Sequence, residues 1–520
     1  MDSLSRRRFL IGAGGATGLL VAAPFACNAL LLKARFASNP FTLGIASGDP
    51  APDGVVLWTR LAVDPLNGGG MPSEDIPVKW RVAKDENMRD IVKSGTAIAP
   101  AGLGHSVHVE LTGLEPSRWY WYQFTSGEHD SPIGRSRTAP AGNASLQKLR
   151  FGVVSCQSWQ AGYFTPYQHI AKEDLDLIVH LGDYIYESGI AADGVRKHNS
   201  AEPATLEAYR NRYALYKTDP DLQAAHAAFP FIVTWDDHEV ENNYANLHRD
   251  NLKPPGDFTV RRAAAYQAYY EHQPLRLASL PKGADMLLYR RIRYGQLAEF
   301  QVLDTRQYRS PQVPAVDPKK PEDYKRMQAE RSDSRRLLMG QQQEKWLLEG
   351  LDKSQARWNI LAQQIFMAQR DYTEGPDQSF SLDAWDGYSA SRDRLLQFIE
   401  KRRPSNPIVL TGDVHAHWVA DLKANFNDPK SKTLGTEFVT TSISSGGDGE
   451  ETNAGADKII KESPHIKFNN RRRGYVSCTV TPDKWQSDYR TVAYVTKPNA
   501  PVETRATFVV ENGKPGVKKA

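Results

Sequence analysis

The sequence predicts two parts, an all-β sandwich near the N-terminus and a larger α/β domain behind it. Two observations carry this expectation. Up to about Ser145, short alternating strands follow one another with turn residues between them, the pattern of half-buried antiparallel strands. Beyond that point apolar runs alternate with stretches of helical period, which indicates α/β construction. At 520 residues, with 40% hydrophobic and 24% charged residues, the chain is long enough for a large core and ordinary for a globular protein. A net charge of +4, spread along this length, argues against nucleic acid as a dedicated partner.

The first segment, residues 1–37, is expected to be a leader rather than fold. A basic start is followed by a weakly apolar, Gly/Ala-rich stretch too interrupted for a membrane span, so no stable anchor is expected. Ser5-Arg6-Arg7-Arg8-Phe9-Leu10 resembles a twin-arginine signal. That resemblance implies the twin-arginine export machinery as a partner and a periplasmic or secreted location. Ala26 and Ala37 are both possible cleavage points, and Pro24 argues against lipidation of Cys27. Without the leader only Cys156 and Cys478 remain, too few for a disulfide framework.

The second segment, residues 41–145, holds "GVVLWTRL", "VKWRVAKD", "HSVHVELTGL" and "RWYWYQFTS", each readable as a half-buried strand. Leu114-Glu115-Pro116 followed by Tyr120 and Tyr122 resembles a fibronectin III-like sandwich. Thr138 to Ser145 reads as a linker. The third segment, residues 146–510, opens with the strand "LRFGVVSC" and the helix "YFTPYQHIAKED". "LDLIVHLGD", "FPFIVTWDDHE", "RWNILAQQ" and "NPIVLTGDVHAHW" are further strands. "GQQQEKWLLEGLDKS" and "SASRDRLLQFIEKRR" carry helical period, and Glu187 to Lys282 reads as a largely helical insertion.

Four of the apolar runs end in groups able to bind metal. One ends at Cys156, a second at Asp183, a third in Asp236-Asp237-His238, and a later one in Asp413-Val414-His415. Strands of an open α/β sheet gather such side chains beyond their carboxyl ends. Carboxylates suit hard cations such as calcium, magnesium or iron(III), imidazole suits iron or zinc, and thiolate prefers softer metals. A set this mixed points to more than one ion, with Asp183 able to bridge a pair. Tyr186 can add a phenolate oxygen, which near neutral pH requires a strong Lewis acid such as iron(III).

"GDYIY" at Gly182 to Tyr186, "WDDHE" and "GDVH" together resemble the calcineurin-like metallophosphoesterase superfamily. Within it the chain resembles the PhoD-type alkaline phosphatases/phosphodiesterases, a likeness extended by "VLDTRQYR", "GQQQEKWL" and "DAWDGY". The resemblance implies a metallophosphoesterase core of two packed sheets flanked by helices. It implies iron(III) held by Cys156, Asp183, Tyr186 and His415. It also implies calcium served by Asp183, Asp237 and Asp413, with Asp236 and Asn243 as further candidates. Carboxylates at positions 237 and 413 are themselves a reason to prefer a hard ion there.

The implied activity is hydrolysis of phosphate mono- and diesters by attack of a metal-activated hydroxide. His238 is the candidate proton donor to the leaving group, or a brace for Asp237. Arg306 and Arg309 are candidates for clasping phosphate, or partners of Asp304. A monomer is favoured. Competing readings are a phospholipase D-like phosphodiesterase, a hydrolase using Cys156 as nucleophile, and a non-catalytic binding protein. "VSCQSW" lacks the glycine-and-arginine phosphate loop that the cysteine mechanism needs.

Overall fold

The computed structural model describes residues 36–249, 258–314, 320–375 and 377–520. The expected export leader lies outside them. No helix among the described residues is long and apolar enough to cross a membrane.

Two large sheets face each other. Three parallel strands, Leu149–Val154, Leu177–Leu181 and Pro230–Thr234, sit side by side inside a ten-stranded sheet. The facing seven-stranded sheet has four consecutive parallel strands, Ala298–Val302, Trp358–Ala362, Pro407–Thr411 and Thr433–Val439. Five of the seven are the apolar runs read from the sequence, whereas Ala298–Val302 and Thr433–Val439 carry polar residues and are not marked by it; the runs are buried because both faces of each sheet are covered. Between the sheets Phe151, Val153, Val179 and Ile232 meet Phe300, Trp358, Ile360 and Leu410. Phe151 touches Phe300 edge to face, with ring centroids 5.3 Å apart.

Helices cover the outer faces. Leu206–Lys217, Pro220–Ala228 and Phe258–His272 pack on the ten-stranded sheet through Tyr213, Leu222 and Tyr269. Gly340–Lys353 and Ser389–Arg402 pack on the other through Leu347 and Leu396. Helix Pro220–Ala228 starts where the local chemistry dictates. Asp219 accepts hydrogen bonds from the Asp221 and Leu222 amides, and Pro220 occupies the first turn.

The N-terminal strands depart from the expectation of a sandwich separate from the core. Ile76–Ala83, Ile91–Ala99, Trp119–Ser126, His129–Asp130 and Gly134–Arg137 form one five-stranded layer. Trp119–Ser126 alternates strictly between buried and half-buried residues, as its sequence predicts. The opposing layer, Ile45–Ala51, Gly54–Arg60 and Ser106–Glu110, is part of the ten-stranded core sheet. Ser47 pairs in parallel with Pro230, and Gly48 with Phe231. A side chain at Gly48 would meet the Pro274 and Phe231 carbonyl oxygens at 2.6 and 2.7 Å, so the junction needs glycine. The fusion removes a free sheet edge beside Pro230–Thr234, an edge that would otherwise invite pairing with another chain.

Candidate metal centre

Cys156, Asp183, Asp236 and Asp237 follow the three adjacent parallel strands of the ten-stranded sheet, so they emerge at one edge. Asp413 and His415 follow Pro407–Thr411 of the facing sheet. The chain turns sharply at each place. Cys156, Asp183, Asn243, Asp413 and His415 all have left-handed backbones, with φ of 59°, 57°, 53°, 63° and 51°. Such conformations cost non-glycine residues energy and persist only where surrounding structure enforces them. Part of that enforcement is backbone bonding between loops: the Cys156 amide donates to the Gly182 carbonyl, and the Gln157 amide to that of Asp183, both at 3.0 Å. Gly182 has φ of 104°, and a Cβ there would lie 2.5 Å from the Asp236 amide nitrogen. This glycine lets the second and third loops touch.

The side chains form three overlapping groups. Ligand atoms of Cys156, Asp183 and His415 lie within 4.8 Å of one another, as do those of Asp183, Asp237 and His238, and those of Asp236, Asp237 and Asp413. Tyr186 joins the first group. Its hydroxyl donates to Asp183 Oδ2 at 2.9 Å, lies 3.0 Å from His415 Nε2, and accepts from Ser445 at 2.7 Å. Asn243 reaches the second end through its backbone amide, which donates to Asp237 Oδ2 at 2.6 Å.

Three buried carboxylate oxygens, Asp183 Oδ1, Asp236 Oδ2 and Asp237 Oδ1, have no hydrogen-bond partner. A buried anionic oxygen left so is costly unless a cation offsets it. Burial, reinforced by neighbouring carboxylates, pushes the Asp183 and Asp236 carboxyls well above the usual range. Burial also lifts Asp413 to about 6 and Glu239 to about 7. The Cys156 thiol and Tyr186 phenol rise as well, first through burial and then through Asp183. Burial, with the nearby Arg473 charge, drops His415 to about 3 and keeps its imidazole neutral, the form that binds metal. The donor set fits two kinds of ion, with thiol, phenol and imidazole at one end, carboxylates at the other, and Asp183 in reach of both.

His238 donates from Nδ1 to Glu187 Oε2 at 2.7 Å and lies over the Tyr186 ring, with centroids 4.2 Å apart. Burial opposes a charged imidazole here, but Asp237, Glu187 and Asp183 outweigh it and raise the His238 pKa well above its ordinary value. With Nδ1 engaged, Nε2 is the atom left for chemistry.

The arginines differ from the sequence expectation. Arg306 is fully buried, with Nε 2.5 Å from Asp236 Oδ1, Nη1 2.8 Å from Asp383 Oδ1, and Nη2 3.5 Å from Asp237 Oδ1. Arg309 is also fully buried and pairs with Asp383 at 2.7 Å. Neither takes Asp304, whose Oδ1 instead accepts the Arg306 and Gln307 amides. In this arrangement both guanidinium groups are committed to carboxylates behind the donor groups. They neutralise and orient those acids, while Arg309 Nη2 has no hydrogen-bond partner.

Several contributing residues have no role that the sequence alone assigns. Glu239 stands inside "WDDHE" and Glu187 directly follows "GDYIY"; Glu239 accepts the Tyr184 and Asp236 amides and ties the second loop to the third. Asp383 stands in "DAWDGY", but its arginine partners are 74 and 77 residues away in sequence. Ser445 and Arg473 brace the far wall. Arg473 donates to the His415 carbonyl at 2.8 Å and to Ser442 Oγ and the Ser445 carbonyl at 2.5 Å.

Comparison with known proteins agrees with this geometry. The family model described as PhoD-like phosphatase matches residues 151–489, and that of the PhoD-like phosphatase N-terminal domain matches residues 26–140. The chain is 51% identical to alkaline phosphatase D of Bacillus subtilis (strain 168) over 527 aligned positions, covering 100% of this chain and 89% of the relative. A solved structure of PhoD superposes with a TM-score of 0.89 at 52% identity, covering 94% of this chain and 93% of that one. The fold, the gathered donor groups and these matches agree: the chain belongs to the PhoD-like phosphatase family and is a phosphoric ester hydrolase.

Proposed function

We propose that this chain is an exported, metal-dependent alkaline phosphatase with phosphodiesterase activity, releasing phosphate from mono- and diesters. One observation carries the reading. Three carboxylate oxygens without a hydrogen-bond partner are buried where a thiol, a phenol and two imidazoles also converge. Cys156, Asp183, Tyr186 and His415 would hold iron(III). Asp183, Asp237 and Asp413 would hold calcium, with Asp236 and Asn243 beside them. Cations bound there would offset the ester's negative charge and supply Lewis acidity that activates water toward phosphorus.

The protein's own groups complete the chemistry. Arg306 holds Asp236 and lies close to Asp237, so the acids keep their positions as substrate binds. His238, kept protonated by Glu187 and the aspartates, delivers a proton from Nε2 to the departing ester oxygen. The relative's name, alkaline phosphatase D, supports this substrate class. Twin-arginine export rests on Ser5 to Leu10, and the fibronectin III-like character of the N-terminal layers rests on strand rhythm and the Tyr120 hydroxyl bonded to the Glu115 amide.

The test pairs elemental analysis with hydrolysis of a chromogenic monoester and diester by the purified protein and Asp183→Asn. The expected result is bound iron and calcium, hydrolysis of both esters, and loss of metal and activity together in the variant. Full activity with no bound metal would overturn the proposal, and cleavage of phosphatidylcholine without monoesterase activity would favour the phospholipase D-like reading. Substituting Arg6 and Arg7 by lysine tests export, the expected outcome being retention inside the cell.

A further inference from the structure

Arg306 and Arg309 pair with carboxylates and Arg473 with loop carbonyls, whereas a hydrolase of anionic esters gains from a guanidinium that meets its substrate directly. One guanidinium has the right properties. Arg370 lies in the loop after Trp358–Ala362, and that strand pairs in parallel with Pro407–Thr411, which carries Asp413 and His415 on its own following loop. The two loops therefore leave the same edge of the sheet. The Gly412 amide donates to the Gln364 carbonyl at 2.8 Å and ties them together.

Arg370 is only 8% exposed, yet it makes no ion pair with any carboxylate among the described residues. Its Nε is buried without a hydrogen-bond partner. Aromatic rings hold the group in place. The guanidinium carbon lies 4.5 Å from the Phe366 ring centroid, 5.1 Å from Tyr372 and 5.7 Å from Trp418. Its backbone is pinned too, the Arg370 amide donating to Asp386 Oδ2 at 2.9 Å. Tyr372, the outermost of the rings, is 36% exposed, so this stack opens to solvent on one side.

A buried guanidinium without an anionic partner is costly. Held by the rings on the loop beside the one that carries Asp413 and His415, its planar fork is suited to the oxygens of a phosphate group. We infer that Arg370 binds the non-bridging oxygens of the substrate phosphate and favours doubly charged monoesters over singly charged diesters. The charge argument follows from Coulomb's law, because a monoester dianion gains about twice as much as a diester monoanion from the same cation. This inference rests on the reading of the metal centre as the hydrolytic site.

The experiment compares Arg370→Gln, Arg370→Lys and Asp183→Asn with the parent protein. It measures kcat and KM for an aryl phosphate monoester and a bis-aryl diester, competitive inhibition by inorganic phosphate, and thermal unfolding. Arg370→Gln should raise both the monoester KM and the phosphate inhibition constant roughly 10- to 100-fold, the worth of one charge-assisted contact, while affecting the diester less. Arg370→Lys should recover part of the loss, and both Arg370 variants should unfold near the parent temperature. Inhibition by phosphate within about twofold of the parent in Arg370→Gln would overturn the inference. So would equal losses for both esters accompanied by a lower unfolding temperature, which is the pattern of a structural arginine. If Asp183→Asn keeps full activity, the reading of the centre itself fails, and the role of Arg370 with it.

Discussion

Stripping cations with a chelator should destabilise this protein far more at about pH 8 than at about pH 5. Without cations, burial raises Asp413 from 3.8 to about 6 and Glu239 from 4.5 to about 7. A carboxyl whose folded pKa is raised loses its proton more easily in the unfolded chain. Its penalty therefore begins near the unfolded value, grows as pH rises, and is complete above the folded value. A tenfold change in acidity corresponds to about 1.4 kcal/mol, so each of these two groups contributes a penalty of about 3 kcal/mol. Both feel the Asp237 charge, so their sum is an order of magnitude only. Asp183 and Asp236, raised in the same direction, add to it.

His238 acts with them at higher pH. Its raised pKa contributes stability that is present below about 6.5 and is lost as pH climbs through the folded value. For a chain this long, 1 kcal/mol corresponds to roughly 1 °C of unfolding temperature. Chelation should thus cost roughly 3–6 °C more at the alkaline pH than at the acidic one. The assay is thermal unfolding by calorimetry with and without chelator at both pH values, with metal content checked in each sample. Equal chelator effects at the two pH values would refute the claim that crowded, unpartnered carboxylates are the reason this centre needs cations.

Tyr186→Phe should abolish a broad visible absorption band of the purified protein, because the phenol oxygen reaches both Asp183 and His415; an unchanged spectrum removes tyrosine from the ligand set. Glu187→Gln should lower kcat roughly 10- to 100-fold, the usual worth of a charged hydrogen bond. Loss of one of the carboxylates that raise the His238 pKa should also move the alkaline limb of its pH–rate profile to lower pH; a limb that stays in place argues against His238 as proton donor. Gly182→Ala should cost about 1–3 kcal/mol and most of the activity, since its Cβ would sit 2.5 Å from the Asp236 amide, and denaturant unfolding beside metal analysis checks both parts.

Much of the core was legible because parallel strands covered on both faces read as unbroken apolar runs. Leu177–Leu181, Pro230–Thr234 and Pro407–Thr411 are all buried throughout, and each runs directly into the residues that hold the donors. The fusion of Ile45–Ala51 to the core was not legible. Its sequence, IASGDPA, carries Gly and Pro rather than an alternating pattern, and its partner lies nearly two hundred positions on, at Pro230 and Phe231. Nothing local in a sequence records such a register.

The same limit explains the arginines. Arg306 and Arg309 stand in "VLDTRQYR", and the strand Ala298–Val302 that precedes them brings them to the site. Which acid each one meets depends on Asp236 and Asp383, 70 and 77 residues from Arg306 on either side. Arg370 stands in no motif at all and becomes visible only when three rings and an absent carboxylate are seen together. Donor identity is a property of the strand ends, whereas the availability of a charge is a property of the packed molecule. Asp183 shows both at once. Its place after a strand marked it as a ligand, but its membership in two donor groups arises because a left-handed turn aims it between two facing sheets. A substitution that preserved the carboxylate and altered that turn should therefore separate the two ends of the centre, leaving each donor group intact but uncoupled from the other.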